Sequence, residues 1–146
     1  MIKPTIITWI IAIFGAITFL PLMGAQFLML LNPHSKRTKD LIIGKGEEWR
    51  DKTHFKSALA FAWADIILLF PIFVCGNIGV FLGQMWGYVL WFALGILSLY
   101  FSILLWIMEK EYTYPSNGWV AYFTYFWGFF LYWGIIAIVY SFSQIV

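Results

Sequence analysis

Charge is confined in this chain to a degree that few folds tolerate. Apart from Lys3 and Asp65, every Asp, Glu, Lys and Arg lies either between Lys36 and Lys56 or in the triplet Glu109, Lys110, Glu111. Four long uncharged or nearly uncharged runs surround those segments, at about residues 4–31, 57–82, 87–108 and 119–143. About 20 apolar residues, at roughly 1.5 Å each, cross the hydrocarbon core of a bilayer as a helix. The expected fold is therefore all-α: an integral membrane bundle of four transmembrane helices, with residues 1–146 forming a single transmembrane domain.

Composition agrees. Hydrophobic residues make up 62% of the chain and charged ones 11%, against roughly 45–50% and about 25% in soluble domains. Four spans leave too little chain for a separate soluble domain. The first run is longer than the core of a signal peptide and only Lys3 precedes it, so it is expected to persist as a helix. Cys75 is the only cysteine and falls within a span, which rules out an intrachain disulfide and reads as a small buried apolar residue.

Seven of the nine Lys and Arg residues lie between Lys36 and Lys56, Lys110 sits in the third loop, and only Lys3 is elsewhere. The positive-inside rule places the first and third loops in the cytoplasm and both termini outside, in a multi-pass protein of the cell or cytoplasmic membrane. Asp40, Glu47, Glu48 and Asp51 interrupt the basic segment and no stacking aromatics accompany it, which argues against nucleic acid as a partner. Anionic lipid headgroups suit such a flank better.

Turn and kink residues divide the chain further. Pro21 and Pro71 predict local disturbances in helices 1 and 2, because proline lacks a donor. Residues 47–56 read as a short helical lead into helix 2, with Glu48 and Lys52 spaced for an i, i+4 pair and Trp49 and Phe55 at headgroup level. Residues 83–87 form a tight turn, and Pro115, Ser116, Asn117 and Gly118 form another. Short connections make helices 2 and 3, and 3 and 4, antiparallel neighbours.

Asp65 is the first candidate site residue, since a carboxylate inside a span is expensive and by default functional. On a helix, Ile72, Gly76, Gly79 and Gly83 fall within about 40° of it, and Gly79 with Gly83 has the spacing that lets helices approach closely. Asp65 is thus expected to face protein. No Lys or Arg lies at similar depth, so it is expected to be protonated or bound to neutral donors. Gln26 is the best-placed donor, at an axial offset of roughly 6 Å, on a stripe with Thr8, Ala12, Gly15 and Leu22. Ser98, Ser102, Tyr122, Thr124 and Tyr125 are further candidates. Asn77 lies off the Asp65 line and is expected to bond another helix.

A second constellation gathers at the basic end. Asp51 and His54 have i, i+3 spacing, Glu47 precedes them by one turn, and Glu109 and Glu111 emerge nearby. Such a set suits acid–base chemistry, but the D-x-x-H pattern recurs in many charged turns, so no metal ligand is assigned. Helix 4 is dense in aromatics. Trp119 and Tyr122 fit one interfacial belt, and Trp86, Tyr88 and Trp91 the other. Trp127, Phe126, Phe129 and Phe130 lie mid-span and are expected to be half buried and half lipid-facing, with Trp127 a candidate wall of a pocket for a lipid-like ligand.

Nothing in the sequence implies a cofactor: no P-loop, nucleophile elbow, zinc-protease helix or haem-type histidine pair is present. Three classes of function follow. The preferred one is a non-enzymatic carrier, channel-like subunit or ligand-binding component, working as a homo-oligomer or in a larger membrane complex, with Asp65 as its polar centre. The second is a membrane-embedded enzyme acting on a lipid-like substrate through Asp51, His54, Glu109 or Glu111. The third is an accessory packing subunit.

Overall fold

The computed structural model of the chain describes residues 2–146. The described residues form α1 (Ile6–Leu31), α2 (Lys36–Ile42), α3 (Lys52–Phe81), α4 (Met85–Tyr112) and α5 (Trp119–Ile145), with no strand among them. All but α2 are long and apolar enough to cross a membrane. The four long helices pack in a ring, each against its neighbours in the chain, and α5 closes the ring on α1.

Side chains set the helix starts. Thr5 Oγ1 accepts from the Thr8 N–H while Thr8 Oγ1 accepts from the Thr5 N–H, a capping box that opens α1. The short helix α2 has no counterpart in the sequence reading. Ser35 Oγ caps it by accepting from the Thr38 N–H, and Thr38 Oγ1 donates at 2.8 Å to Asn32 O, so α2 folds back onto the end of α1 and satisfies a carbonyl there. The helical lead expected over residues 47–56 is shorter: α3 starts at Lys52, Glu48 lies outside it, and Glu48 pairs with Lys39 instead of Lys52.

Both ends of the ring are tied. At the terminal end, the Ile2 N–H donates to Gly83 O at 3.0 Å. At the hydrophilic end, the Tyr114 N–H donates to Ile43 O at 2.6 Å, joining the first and third loops. Gly44 is required at that junction: its φ is +148°, and a Cβ there would stand 2.5 Å from Tyr114 O.

The terminal half of the bundle is tightly closed. A Cβ on Gly79 would meet Gly87 Cα at 2.6 Å, and Cβ atoms on Gly95 and Gly134 would each meet the other's carbonyl oxygen at 2.9 Å, so α4 touches both neighbours backbone to backbone. Gly79 therefore works with Gly87 across the hairpin, whereas Gly83, with φ +67°, serves the turn. Gly15 leaves room for the Trp133 indole, whose Nε1 donates to Ile11 O at 3.0 Å. Thr8, Ala12, Gly15 and Leu22, the stripe expected to pack on α1, are all buried. Phe19 lies among Phe73, Phe130 and Trp133, with ring centroids about 5 Å away.

Several placements differ from the sequence reading. Tyr88 and Trp91 are completely buried and form core, not an interfacial belt; Trp86 and Trp119 are exposed as a belt requires. Cys75 is exposed on the outside of the bundle, because the buried face of α3 is taken by Phe73, Gly76 and Val80. Trp49 packs within the hydrophilic segment, donating to Pro33 O at 3.2 Å and standing edge-on to His54 and Phe55.

Two of the long helices contain a widened π turn. In α3 it covers Asp65–Leu69, where the Phe70 N–H bonds to Asp65 O. It lies directly upstream of Pro71, whose missing donor already interrupts the regular ladder. In α5 it covers Phe123–Trp127, closed by the Gly128 N–H on Phe123 O, and a Cβ on residue 128 would lie 2.8 Å from that oxygen. The first part of α3, Lys52–Ala64, packs on α1, and only the part beyond the π turn, Phe70–Phe81, packs closely on α4.

The backbone contact of α4 with α5 should be the least tolerant point in the bundle. Gly134→Leu is expected to lower stability by about 1–3 kcal/mol or more through overpacking. Gly24→Ala, with nothing within 4 Å of the new methyl, should be neutral or stabilising by up to about 1 kcal/mol. Thermal unfolding in detergent distinguishes them; equal melting temperatures would mean that the helices do not meet at Gly134.

Candidate functional site

Where α3 parts from α4, the hydrophilic half of the bundle contains a cleft of about 90 Å³ to which all five helices contribute. Gln26 comes from α1, Leu41 and Ile42 from α2, Phe61 from α3, Glu109 from α4, and Tyr122, Phe126 and Trp127 from α5. Most of its wall is apolar, with a few convergent polar groups, which is the usual make-up of a small-molecule site.

The π turn of α5 shapes this wall. On a regular helix, residues 122 and 127 stand about 140° apart and cannot face one space. The extra residue in the turn brings them closer together around the axis, and both line the cleft. Trp127 is almost fully buried, with its ring edge-on to that of Tyr122. Of the four mid-span rings expected to be half buried and half lipid-facing, Trp127 and Phe130 are buried and Phe126 and Phe129 are half-buried, so none is fully exposed; the exposed aromatic side chains of α5 are its neighbours Tyr125 and Tyr132.

Glu109 is the carboxyl of the cleft. Its Oε2 accepts from Tyr122 Oη at 3.0 Å and from Thr113 Oγ1 one helical turn on. Its Oε1 has no partner among the described residues. Glu109 also lines a smaller adjoining cavity with His54 and Tyr112. The sequence reading names Glu109 but misses its partners. The i, i+4 spacing of Glu109 and Thr113 is a readable signal for one of them, whereas Tyr122 is brought in only by the α4–α5 hairpin.

Asp65 lies at the start of its π turn, and Gln26 Nε2 donates to its Oδ2 at 2.7 Å, the contact that depth alone leads one to expect. Gln26 lines the cleft and Asp65 does not, so Asp65 reaches the cavity wall only through the Gln26 amide. Of the other candidate donors, Ser98 Oγ donates to Leu94 O and Ser102 Oγ to Leu99 O, Tyr122 is bonded to Glu109, and Thr124 and Tyr125 are exposed. Asn77 likewise bonds its own helix, at Phe73 O, and not a neighbouring one.

The constellation at the basic end has a structural explanation. Asp51 Oδ1 accepts from the His54 N–H at 2.8 Å, so the i, i+3 spacing is that of an N-cap and its third helical residue. The His54 ring is buried, stacked on Tyr112 at 4.5 Å, and makes no hydrogen bond to Glu109 or Glu111. Glu111 is exposed, and its backbone oxygen accepts from the Arg50 guanidinium. Among the described residues, no three His, Cys, Asp or Glu side chains converge as metal ligands.

Compared with protein families, with curated proteins and with solved structures, the chain matches none.

The Gln26–Asp65 bond has a measurable signature. Asp65→Asn keeps a partner for the amide and should change stability by less than about 1 kcal/mol, whereas Asp65→Leu leaves Gln26 unpaired and should cost about 1–3 kcal/mol. Adding Gln26→Leu to Asp65→Leu should recover most of that loss, since two apolar groups replace two polar ones. A double variant as unstable as Asp65→Leu alone would show that the two side chains are not coupled.

Proposed function

We propose that this chain is a four-span protein of the cell membrane that binds a small amphipathic molecule in the cleft of its hydrophilic half, without performing chemistry on it. The observation that carries this reading is the cleft itself: a mostly apolar wall of rings in which Glu109 has an oxygen to spare among the described residues. Groups of that kind are costly unless something occupies the space they face. Close backbone contacts in the terminal half favour binding over an open channel. An enzymatic role has less support, because Asp51 is engaged as a helix cap and His54 meets neither Glu109 nor Glu111.

In this reading the hydrophilic end faces the cytoplasm and the termini face outward. The lysine and arginine distribution supports it, and exposed Lys36 and Arg37 on α2 are placed to meet anionic headgroups.

Orientation is tested by labelling single cysteines on intact cells with a membrane-impermeant maleimide, in a Cys75→Ala background. Ser143→Cys should react and Lys45→Cys should not; the opposite pattern reverses the topology. Occupancy is tested by native mass spectrometry from gentle detergent. The wild-type protein should retain a small hydrophobic molecule, and Ala25→Leu, which fills the cleft without removing a core ring, should lose it. Identical retained mass in both would place any bound molecule elsewhere.

A further inference from the structure

We infer that the cleft selects an organic ammonium ion: a positively charged nitrogen carrying apolar substituents. The inference rests on the reading of the cleft as a binding site and adds the charge and chemical class of the occupant.

The first ground is an acidic group without a counter-charge. Both hydrogen bonds to the Glu109 carboxyl come from neutral hydroxyls, those of Thr113 and Tyr122, and both fall on Oε2. No Lys or Arg lines the cleft. Three of the cationic side chains of this end are turned to other partners, Lys39 to Glu48, the Arg50 guanidinium to Glu111 O and Lys110 to the Phe123 ring, 5.7 Å from its centroid, while Lys45 lines a neighbouring pocket on the far side of Leu41, Tyr122 and Phe126 and not the cleft. A carboxyl in an apolar wall is held neutral by a proton or ionised by a cation; the described chain supplies no Lys or Arg at the cleft, so an ammonium ligand that brings its own charge is what would favour the carboxylate.

The second ground is the wall. Phe61, Tyr122, Phe126 and Trp127 line the same space. Aromatic faces carry negative potential and attract alkylated ammonium groups, most strongly where water is excluded. An anionic ligand would meet Glu109 with like charge. A metal ion would need several ligating side chains, and no three converge among the described residues. A neutral alcohol would satisfy Glu109 Oε1 but leave the ring faces without a charge to bind.

The test is a matched pair of probes of nearly equal shape, phenyltrimethylammonium and tert-butylbenzene, titrated against the protein in nanodiscs of zwitterionic lipid and followed by ligand-observed NMR. The cation should bind saturably and at least about tenfold tighter than its neutral isostere. Glu109→Gln should abolish that preference while the neutral probe binds as before. Phe126→Leu, which removes a ring but leaves the carboxyl intact, should weaken the cation several-fold and the neutral probe little; it serves equally if Glu109→Gln does not fold. Equal binding of both probes, unaltered by either variant, would overturn the charge selection and leave the cleft as an apolar site. Absence of saturable binding by either probe, or binding unaffected by the cleft-filling Ala25→Leu, would overturn the binding reading and this inference with it.

Discussion

In a bilayer no hydrophobic force draws one apolar helix to another, so association depends on how closely the backbones approach and on which polar groups find partners. Here the approach is supplied by glycine: Gly79 on Gly87 between α3 and α4, and Gly95 on Gly134 between α4 and α5. These contacts make α4 the axis of the bundle and fix the terminal half as its rigid part. Around them the aromatic side chains of Phe19, Phe73, Trp91, Phe130 and Trp133 fill the centre, and Trp133 satisfies its own donor on α1. The remainder of the architecture, including the cleft, is what the chain does beyond the point where these contacts stop.

What happens there follows from the two π turns. Each adds a residue to one turn of a helix, which rotates the parts before and after it relative to one another. In α3 the turn separates a part that packs on α1 from a part that packs on α4. In α5 it turns both Tyr122 and Trp127 toward the same space. A bundle built from uninterrupted helices with the same glycine contacts would continue closely packed to the hydrophilic end. The local loss of ideal hydrogen bonding is thus coupled to the opening of a cavity, the kind of trade that recurs where a fold gives up regularity for a site.

The parts of this arrangement that a sequence reveals are those governed by strong, local physics. Charge cannot be left in hydrocarbon without consequence, so the four helices long and apolar enough to cross a membrane follow from where Asp, Glu, Lys and Arg are absent. Depth is nearly linear in residue number along a helix, so Gln26 can be matched to Asp65 by counting residues from the helix ends. The misses share a different origin. Tyr88 and Trp91 have the composition of an interfacial belt, but burial depends on which face a neighbouring helix covers, and that is set by Gly76, Gly87 and their partners. Asp51 and His54 resemble a ligand pair because capping and coordination use the same spacing. The π turns leave only indirect marks, a proline downstream of one and a glycine at the end of the other. The helix α2 is too short for a periodicity signal, and the Ser35–Thr38 cap is its one legible feature.

Of the three carboxyl groups within the long helices, Glu111 is exposed at the end of α4, and the contrast between the other two, Asp65 and Glu109, separates their roles better than depth does. Asp65 is the deeper, and on the cost of burying charge alone it would be ranked first. A single flexible amide reaches its Oδ2 from the adjacent helix, and it is that amide, not Asp65, that stands at the cleft wall. Glu109 is nearer the hydrophilic end and would be ranked lower, yet it lines two adjoining cavities and takes its hydrogen bonds on one oxygen; no Lys or Arg lines either cavity among the described residues, and His54 is the basic ring of the smaller one. The Gln26–Asp65 bond links α1 to α3 beside the cleft. Each carboxyl takes its bonds on one oxygen only, so a count of free lone pairs does not separate them; the space each one faces does, and neither depth nor residue type contains that. In the reading proposed above, Asp65 is thus the support and Glu109 the recognition element.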